Sequence, residues 1–233
     1  MPRYPGRGFV AFDPASDVSV RKRNLPHWFQ KEVAVFVTFR TADSLPREVV
    51  LRMQRELREW LLAKGLPREW EDIADENKWS PSSYPLRNVN PESMRQFRKL
   101  KSQLLQRSLD DCHGACHLKR GDLRQHVAES ILYHNGSKHE LDCFVVMPNH
   151  VHAIVQFGGD SDFNLVGQSW MRFSARKINE SLGLKGPFWQ AEPFDHLIRS
   201  EEQFRYLRDY IRTNPRRANL PLGEWLLWDR GKK

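Results

Sequence analysis

Residues 141–157 read Leu141-Asp142-Cys143-Phe144-Val145-Val146-Met147-Pro148-Asn149-His150-Val151-His152-Ala153-Ile154-Val155-Gln156-Phe157. Two runs rich in β-branched and aromatic residues, Leu141 to Met147 and Val151 to Phe157, flank the turn residues Pro148-Asn149, which is the pattern of a hairpin. A helix over about Gly121 to His134 feeds it and is ended by Asn135-Gly136. A helix leading straight into two paired strands excludes an all-helical chain and an alternating parallel sheet.

Toward the N-terminus, Val33-Ala34-Val35-Phe36-Val37-Thr38-Phe39 reads as a buried strand. Pro46 opens a helix in which Val49, Met53, Leu57, Trp60 and Leu61 recur at helical spacing until Gly65 and Pro67 stop it. Leu66 to Asn90 is rich in Pro, Ser, Trp and charge without a period. A basic helix over about Pro91 to Leu109 follows, capped by Asn90. Residues 66–115 are therefore expected to be an insertion, and which helix is the first crossover stays open. Toward the C-terminus a helix runs over Asp162 to Leu182, a short strand over Phe194 to Ile198, and a last helix over Glu201 to Thr213, stopped by Asn214-Pro215.

Without the insertion the order is strand, helix, strand, strand, helix, strand, helix. That order predicts an α+β fold: a ferredoxin-like split βαβ sandwich on an antiparallel sheet, with an extra C-terminal helix and a helical insertion. Residues 1–30, with Arg21-Lys22-Arg23, are expected as a basic arm, 31–220 as one domain and 221–233 as a tail.

The 233 residues suffice for one full hydrophobic core, and 39% apolar with 28% charged residues excludes a chain too polar to fold. Lys and Arg exceed Asp and Glu by 37 to 29, a net charge of +8 that favours a polyanionic partner. The opening MPRYPGRGFVAF lacks the apolar centre of a signal peptide, and no apolar run reaches the ~20 residues a membrane span needs. Three cysteines form no even disulfide framework. A cytoplasmic protein with no membrane contact and no obligatory protein partner is expected.

The chemistry centres on Met147-Pro148-Asn149-His150-Val151-His152. On a strand, the period of two sends His150 and His152 to one face and Val151 to the other, so two imidazoles converge as metal ligands would. A polar sheet face would carry the same pair. On the last helix Phe204, Leu207 and Ile211 form the buried stripe, with Tyr210 and Asn214 one turn apart beside it. Tyr210 suits a nucleophile and Asn214 an oxygen ligand for Mg²⁺ or Mn²⁺. Packing for the tyrosine and a helix stop for the asparagine are the plain alternatives.

The segment Met147 to His152, together with Phe188-Trp189-Gln190, Phe194-Asp195-His196 and Tyr210-Ile211-Arg212-Thr213-Asn214-Pro215-Arg216-Arg217-Ala218, resembles the REP-associated tyrosine transposases. These belong to the single-tyrosine transposases whose two histidines flank a hydrophobic residue. The resemblance runs from about Leu123 to Leu220 and extends to the first strand. It implies a ferredoxin-like fold, cleavage of single-stranded or hairpin DNA through a 5′-phosphotyrosine, Tyr210 as nucleophile, and a divalent metal on His150, His152 and Asn214. DNA contacts are expected from Arg172, Arg176, Lys177, Lys185, Arg199, Arg212, Arg216 and Arg217, with Trp170 and Phe173 as stacking platforms.

Other readings are weighed beside this one. A relative that binds DNA hairpins without cutting them would carry the same motifs. A zinc hydrolase using the two histidines lacks a helical H-E-x-x-H and a third histidine. Cys112-His113-Gly114-Ala115-Cys116-His117 has metal-ligating residues but neither C-x-x-C-H nor a second C-x-x-C. Tyr206, four residues before Tyr210, would serve a two-tyrosine nuclease.

Overall fold

The computed structural model describes residues 10–22, 26–66, 90–158, 161 and 163–231. A hairpin of β1 (Ser19–Lys22) and β2 (Pro26–Phe29) precedes β3 (Ala34–Arg40). Helices α1 (Arg47–Ala63) and α2 (Pro91–Asp110) come next, then a 3₁₀ turn at His117–Lys119 and α3 (Gly121–Leu132). Strands β4 (His139–Val146) and β5 (His150–Phe157), helix α4 (Phe163–Leu182), strand β6 (Phe194–Leu197), helix α5 (Glu201–Arg217) and strand β7 (Leu226–Asp229) complete the chain.

The main sheet has the order β6-β3-β5-β4-β7, antiparallel at every step. Its first four strands follow the ferredoxin-like order, so the expected α+β fold is the one observed. Alternation along the strands gives the sheet two apolar faces. Val35, Val37, Phe39, Phe144, Val146, Val151, Ala153 and Val155 form one, under α3 and α4. Ala34, Phe36, Cys143, Val145 and Ile154 form the other, under Phe204, Leu207 and Ile211 of α5. A bulge between Leu141 and Cys143 leaves Asp142 as the extra residue and shifts the alternation by one, so that Leu141 lies in the first apolar face and Cys143 in the second.

The open question of the first crossover is answered by α3, which packs against α4 beneath the sheet. Helices α1 and α2 pair with each other around Leu57, Leu61, Phe97 and Leu104. This helix pair starts with α1, earlier than the boundary of residue 66 expected for an insertion, and residues 67–89 lie outside the described residues. Asn90 caps α2 as expected, accepting from the Glu92 N–H at 2.9 Å.

Three expectations are corrected. The segment up to residue 30 is not only an arm: Val10 and Ala11 are buried, and the Phe12 N–H donates to the Ile198 carbonyl at 2.8 Å. Residues 1–9 and 23–25, and the side chains of Arg21 and Lys22, lie outside the described residues. The tail supplies β7, because Leu226 to Asp229 finds the free edge of β4. The last helix does not stop at Asn214-Pro215 but continues to Arg217. Proline there removes one helical hydrogen bond, while the Ala218 N–H to Asn214 carbonyl and Leu220 N–H to Pro215 carbonyl bonds close the end beyond it.

Candidate active site

His150 opens β5 and His152 stands two residues on, so both side chains face α5. Their rings lie 4.7 Å apart at 70°. Strand β3 pairs with β5 so that Thr38 is directly opposite His152, and Thr38 Oγ1 meets His152 Nδ1 at 2.7 Å. Asn149, in the turn, places Oδ1 2.7 Å from His150 Nδ1. An amide oxygen only accepts, so Nδ1 carries the proton and Nε2 keeps the lone pair. That Nε2 is buried without a hydrogen-bond partner.

Helix α5 starts from Ser200, whose side chain accepts from the Gln203 N–H at 3.1 Å, and its apolar stripe seats it on the sheet. This brings Tyr210 Oη to 3.2 Å from His152 Nε2. With Thr38 Oγ1 accepting from Nδ1, the phenol donates to Nε2. Asn214 follows one turn later, fully buried, with Nδ2 3.3 Å from Asp110 Oδ1 and with Oδ1 unpartnered. The Arg217 guanidinium lies over the Tyr210 ring at 5.2 Å.

Burial sets the protonation states. It pushes the His150 imidazole down to about 3. It pushes His152 well below the ordinary range, with His150 adding to the effect. Both are neutral near pH 7, as metal ligands must be. Burial raises the Tyr210 phenol, and the Asp110 carboxyl adds to it, against Arg217 and Asn214. Asp110 is itself raised to about 6 by burial, with Arg217 and Asn214 opposing.

The cluster thus holds two neutral imidazoles, an amide oxygen and a phenol, with two buried acceptor atoms, His150 Nε2 and Asn214 Oδ1, unpartnered. That donor set fits a divalent cation of intermediate hardness. It does not extend to three His, Cys, Asp or Glu side chains, and no such group occurs among the described residues, around Cys112 and Cys116 included. There the Cys116 thiol donates to the Cys112 carbonyl at 2.7 Å. Tyr206, by contrast with the buried Tyr210, is exposed.

The basic residues are less concentrated than the sequence suggests. Trp170 is 1% exposed, packed on His139 and Phe157, so its ring cannot stack on a base; its assignment as a DNA platform is corrected. Arg172, Arg176 and Lys177 lie on α4, across the sheet from Tyr210, and face Gln168 or Glu180. Arg212 is held by Asp229, Nε to Oδ2 2.6 Å. Lys185, Arg199 and Arg216 are exposed, and Arg217 is the basic residue seated on the tyrosine.

Asp110 is the residue that sequence patterns did not single out. Its signal was present: two adjacent acids, Asp110 and Asp111, close a helix at the end where the macrodipole disfavours negative charge.

No protein-family model and no curated protein matches the chain. Among solved structures, one of a REP-associated tyrosine transposase bound to a REP hairpin is similar at 17% identity and a TM-score of 0.39, over 82% of this chain and 71% of that one.

Proposed function

We propose that this chain is a metal-dependent endonuclease and strand transferase for single-stranded, hairpin-associated DNA, acting in the manner of a transposase in the cytoplasm. The observation that carries the reading is the buried polar cluster in which His150 lies beside His152, His152 beside Tyr210 and Tyr210 beside Asn214. Two of its four groups, His150 Nε2 and Asn214 Oδ1, have no partner there. Buried polar atoms left unpaired cost on the order of 1–3 kcal/mol each, a cost that a bound cation would offset.

His150, His152 and Asn214 would hold Mg²⁺ or Mn²⁺, and such an ion would polarise the scissile phosphate and offset charge gathering on its oxygens. Tyr210 Oη attacks the phosphorus. The new Oη–P bond forms as the bond from phosphorus to the 3′ oxygen breaks, leaving a 5′-phosphotyrosine; the proton released by the phenol passes, by way of water, to the leaving oxygen, which becomes a free 3′ hydroxyl. The reverse attack by a 3′ hydroxyl rejoins the strand and frees the tyrosine. Arg217, over the phenol ring, would add positive charge beside the phosphate, and the exposed Lys185, Arg199 and Arg216 would meet the backbone.

Mixing the protein with short single strands and Mn²⁺, then resolving products under denaturing conditions, tests the reading. A covalent protein–DNA species, lost with chelator, is expected. The near-complete burial of Tyr210, at 3% exposure, favours a second reading: a hairpin-binding protein that no longer cleaves. Hairpin binding with no adduct under any divalent metal would select it.

A further inference from the structure

We propose that the end of α2 and the loop after it belong to the active site, with Asp110 as a positioning residue that turns the Asn214 amide oxygen toward the cation. The inference rests on the reading of His150, His152 and Asn214 as metal ligands. It assigns a task to the insertion, whose two helices otherwise pack on each other.

An asparagine amide can face either way, and only one way offers oxygen to a metal. Asp110 Oδ1 accepts from Asn214 Nδ2 at 3.3 Å, from a position 104 residues away in sequence, and so leaves Asn214 Oδ1 as the open atom. Three residues on, the His113 carbonyl accepts from Asn149 Nδ2 at 3.0 Å. That bond fixes the second amide, whose Oδ1 faces His150 Nδ1 and leaves His150 Nε2 open. Both unpartnered ligand atoms are therefore oriented from Asp110 and His113.

The loop is held firmly enough to do this. Gly114 has φ +87°, and a Cβ there would lie 2.7 Å from Asp43. The Ala115 N–H donates to Asp43 Oδ2 at 2.7 Å, and the Leu118 N–H to the Pro148 carbonyl at 3.2 Å. Groups that orient metal ligands in this way change affinity by roughly 10–100-fold when removed.

The test is Mn²⁺ affinity of the full chain, read from the electron paramagnetic resonance signal of free Mn²⁺, with melting curves to confirm folding. Asp110→Ala should weaken binding about tenfold or more, and Asp110→Asn, whose amide oxygen still accepts, should stay within about threefold of wild type. Asp110→Ala combined with Asn214→Ala should bind no more weakly than Asn214→Ala alone. Gly114→Ala, which presses a methyl on Asp43 and shifts the same loop, is a second arm expected to weaken binding. Asp110→Ala and Gly114→Ala at wild-type affinity, with Asn214→Ala weakened, would overturn the inference alone. Asp110→Asn as weak as Asp110→Ala would put the carboxylate itself on the cation and overturn the positioning role. A wild-type chain that binds no Mn²⁺ would overturn the ligand reading, and this inference with it.

Discussion

Tyr210 Oη lies 3.2 Å from His152 Nε2, so the phenol stands at the nitrogen that a metal would take. Hydroxyl and cation therefore compete for one lone pair. Tyr210→Phe is expected to bind Mn²⁺ at least as tightly as wild type, while His152→Ala loses binding by on the order of 10-fold or more. Calorimetric titration reads both, and a Tyr210→Phe protein that lost most of its Mn²⁺ affinity would place the phenol among the ligands instead.

Helix α5 is anchored to the sheet by charge as well as by its apolar stripe. Arg208 Nε meets Asp142 Oδ2 at 3.0 Å, and Arg208 Nη2 meets Asp229 Oδ1 at 3.3 Å. The Asp142 side chain is fully buried. Arg208→Ala removes an ion-pair partner from this buried carboxylate and is expected to cost roughly 3–5 kcal/mol in urea unfolding. Combining it with Asp142→Asn should return part of that loss; a loss under about 1 kcal/mol for the single variant would show the pair to be solvated.

Acid should destabilise the protein from about pH 6.5 downward through its buried histidines, with Asp110, raised to about 6, opposing part of the loss. His139 is pushed down to about 4 by burial, its Nε2 bonded to the Ile131 carbonyl at 2.9 Å, and His150 to about 3. Unfolded histidine takes up its proton near pH 6.5, so between that value and the folded values the unfolded state binds more protons. The stability is complete above about pH 6.5 and is lost as pH falls. For His139 alone the loss amounts to roughly 2 kcal/mol by about pH 5. Urea midpoints measured across this range should fall, and His139→Gln should flatten the fall. A flat profile in the wild type would contradict the buried neutral state.

Recognition of the strand and its cleavage should separate by residue. Arg216→Glu with Lys185→Glu is expected to weaken binding across all sequences and to make the salt dependence shallower, by about one unit for each phosphate no longer neutralised. Trp170→Ala should instead cost about 3–5 kcal/mol of stability. Weaker binding by Trp170→Ala at unchanged stability would restore it as a stacking platform.

The sheet and its two histidines are legible because their signals are local: the strands show as β-branched and aromatic runs bounded by turn residues, and the shared face of His150 and His152 follows from period two. Strand β7 was not, since four residues, Leu226 to Asp229, carry too little pattern without the edge of β4 to receive them. Pro215 read as a stop because proline breaks isolated helices, whereas burial of Asn214 and Pro215 carries this one through. Trp170 stands among basic residues in sequence but turns to the core in space. Asp110 reaches Asn214 across 104 positions, and no spacing rule joins them. Long-range pairings of this kind decide the chemistry, and sequence pattern records only their local halves.

The central claim is that Tyr210 is the nucleophile, and mass spectrometry of the covalent species formed with a single strand and Mn²⁺ tests it most directly. Tyr210→Phe removes one hydroxyl from a helix seated by Phe204, Leu207 and Ile211, so stability should change by about 1 kcal/mol and strand binding should persist. The account predicts a nucleotide-bearing peptide containing Tyr210 in the wild type and in Tyr206→Phe, and none in Tyr210→Phe. An adduct that persisted in Tyr210→Phe, or one mapped to Tyr206, would contradict it.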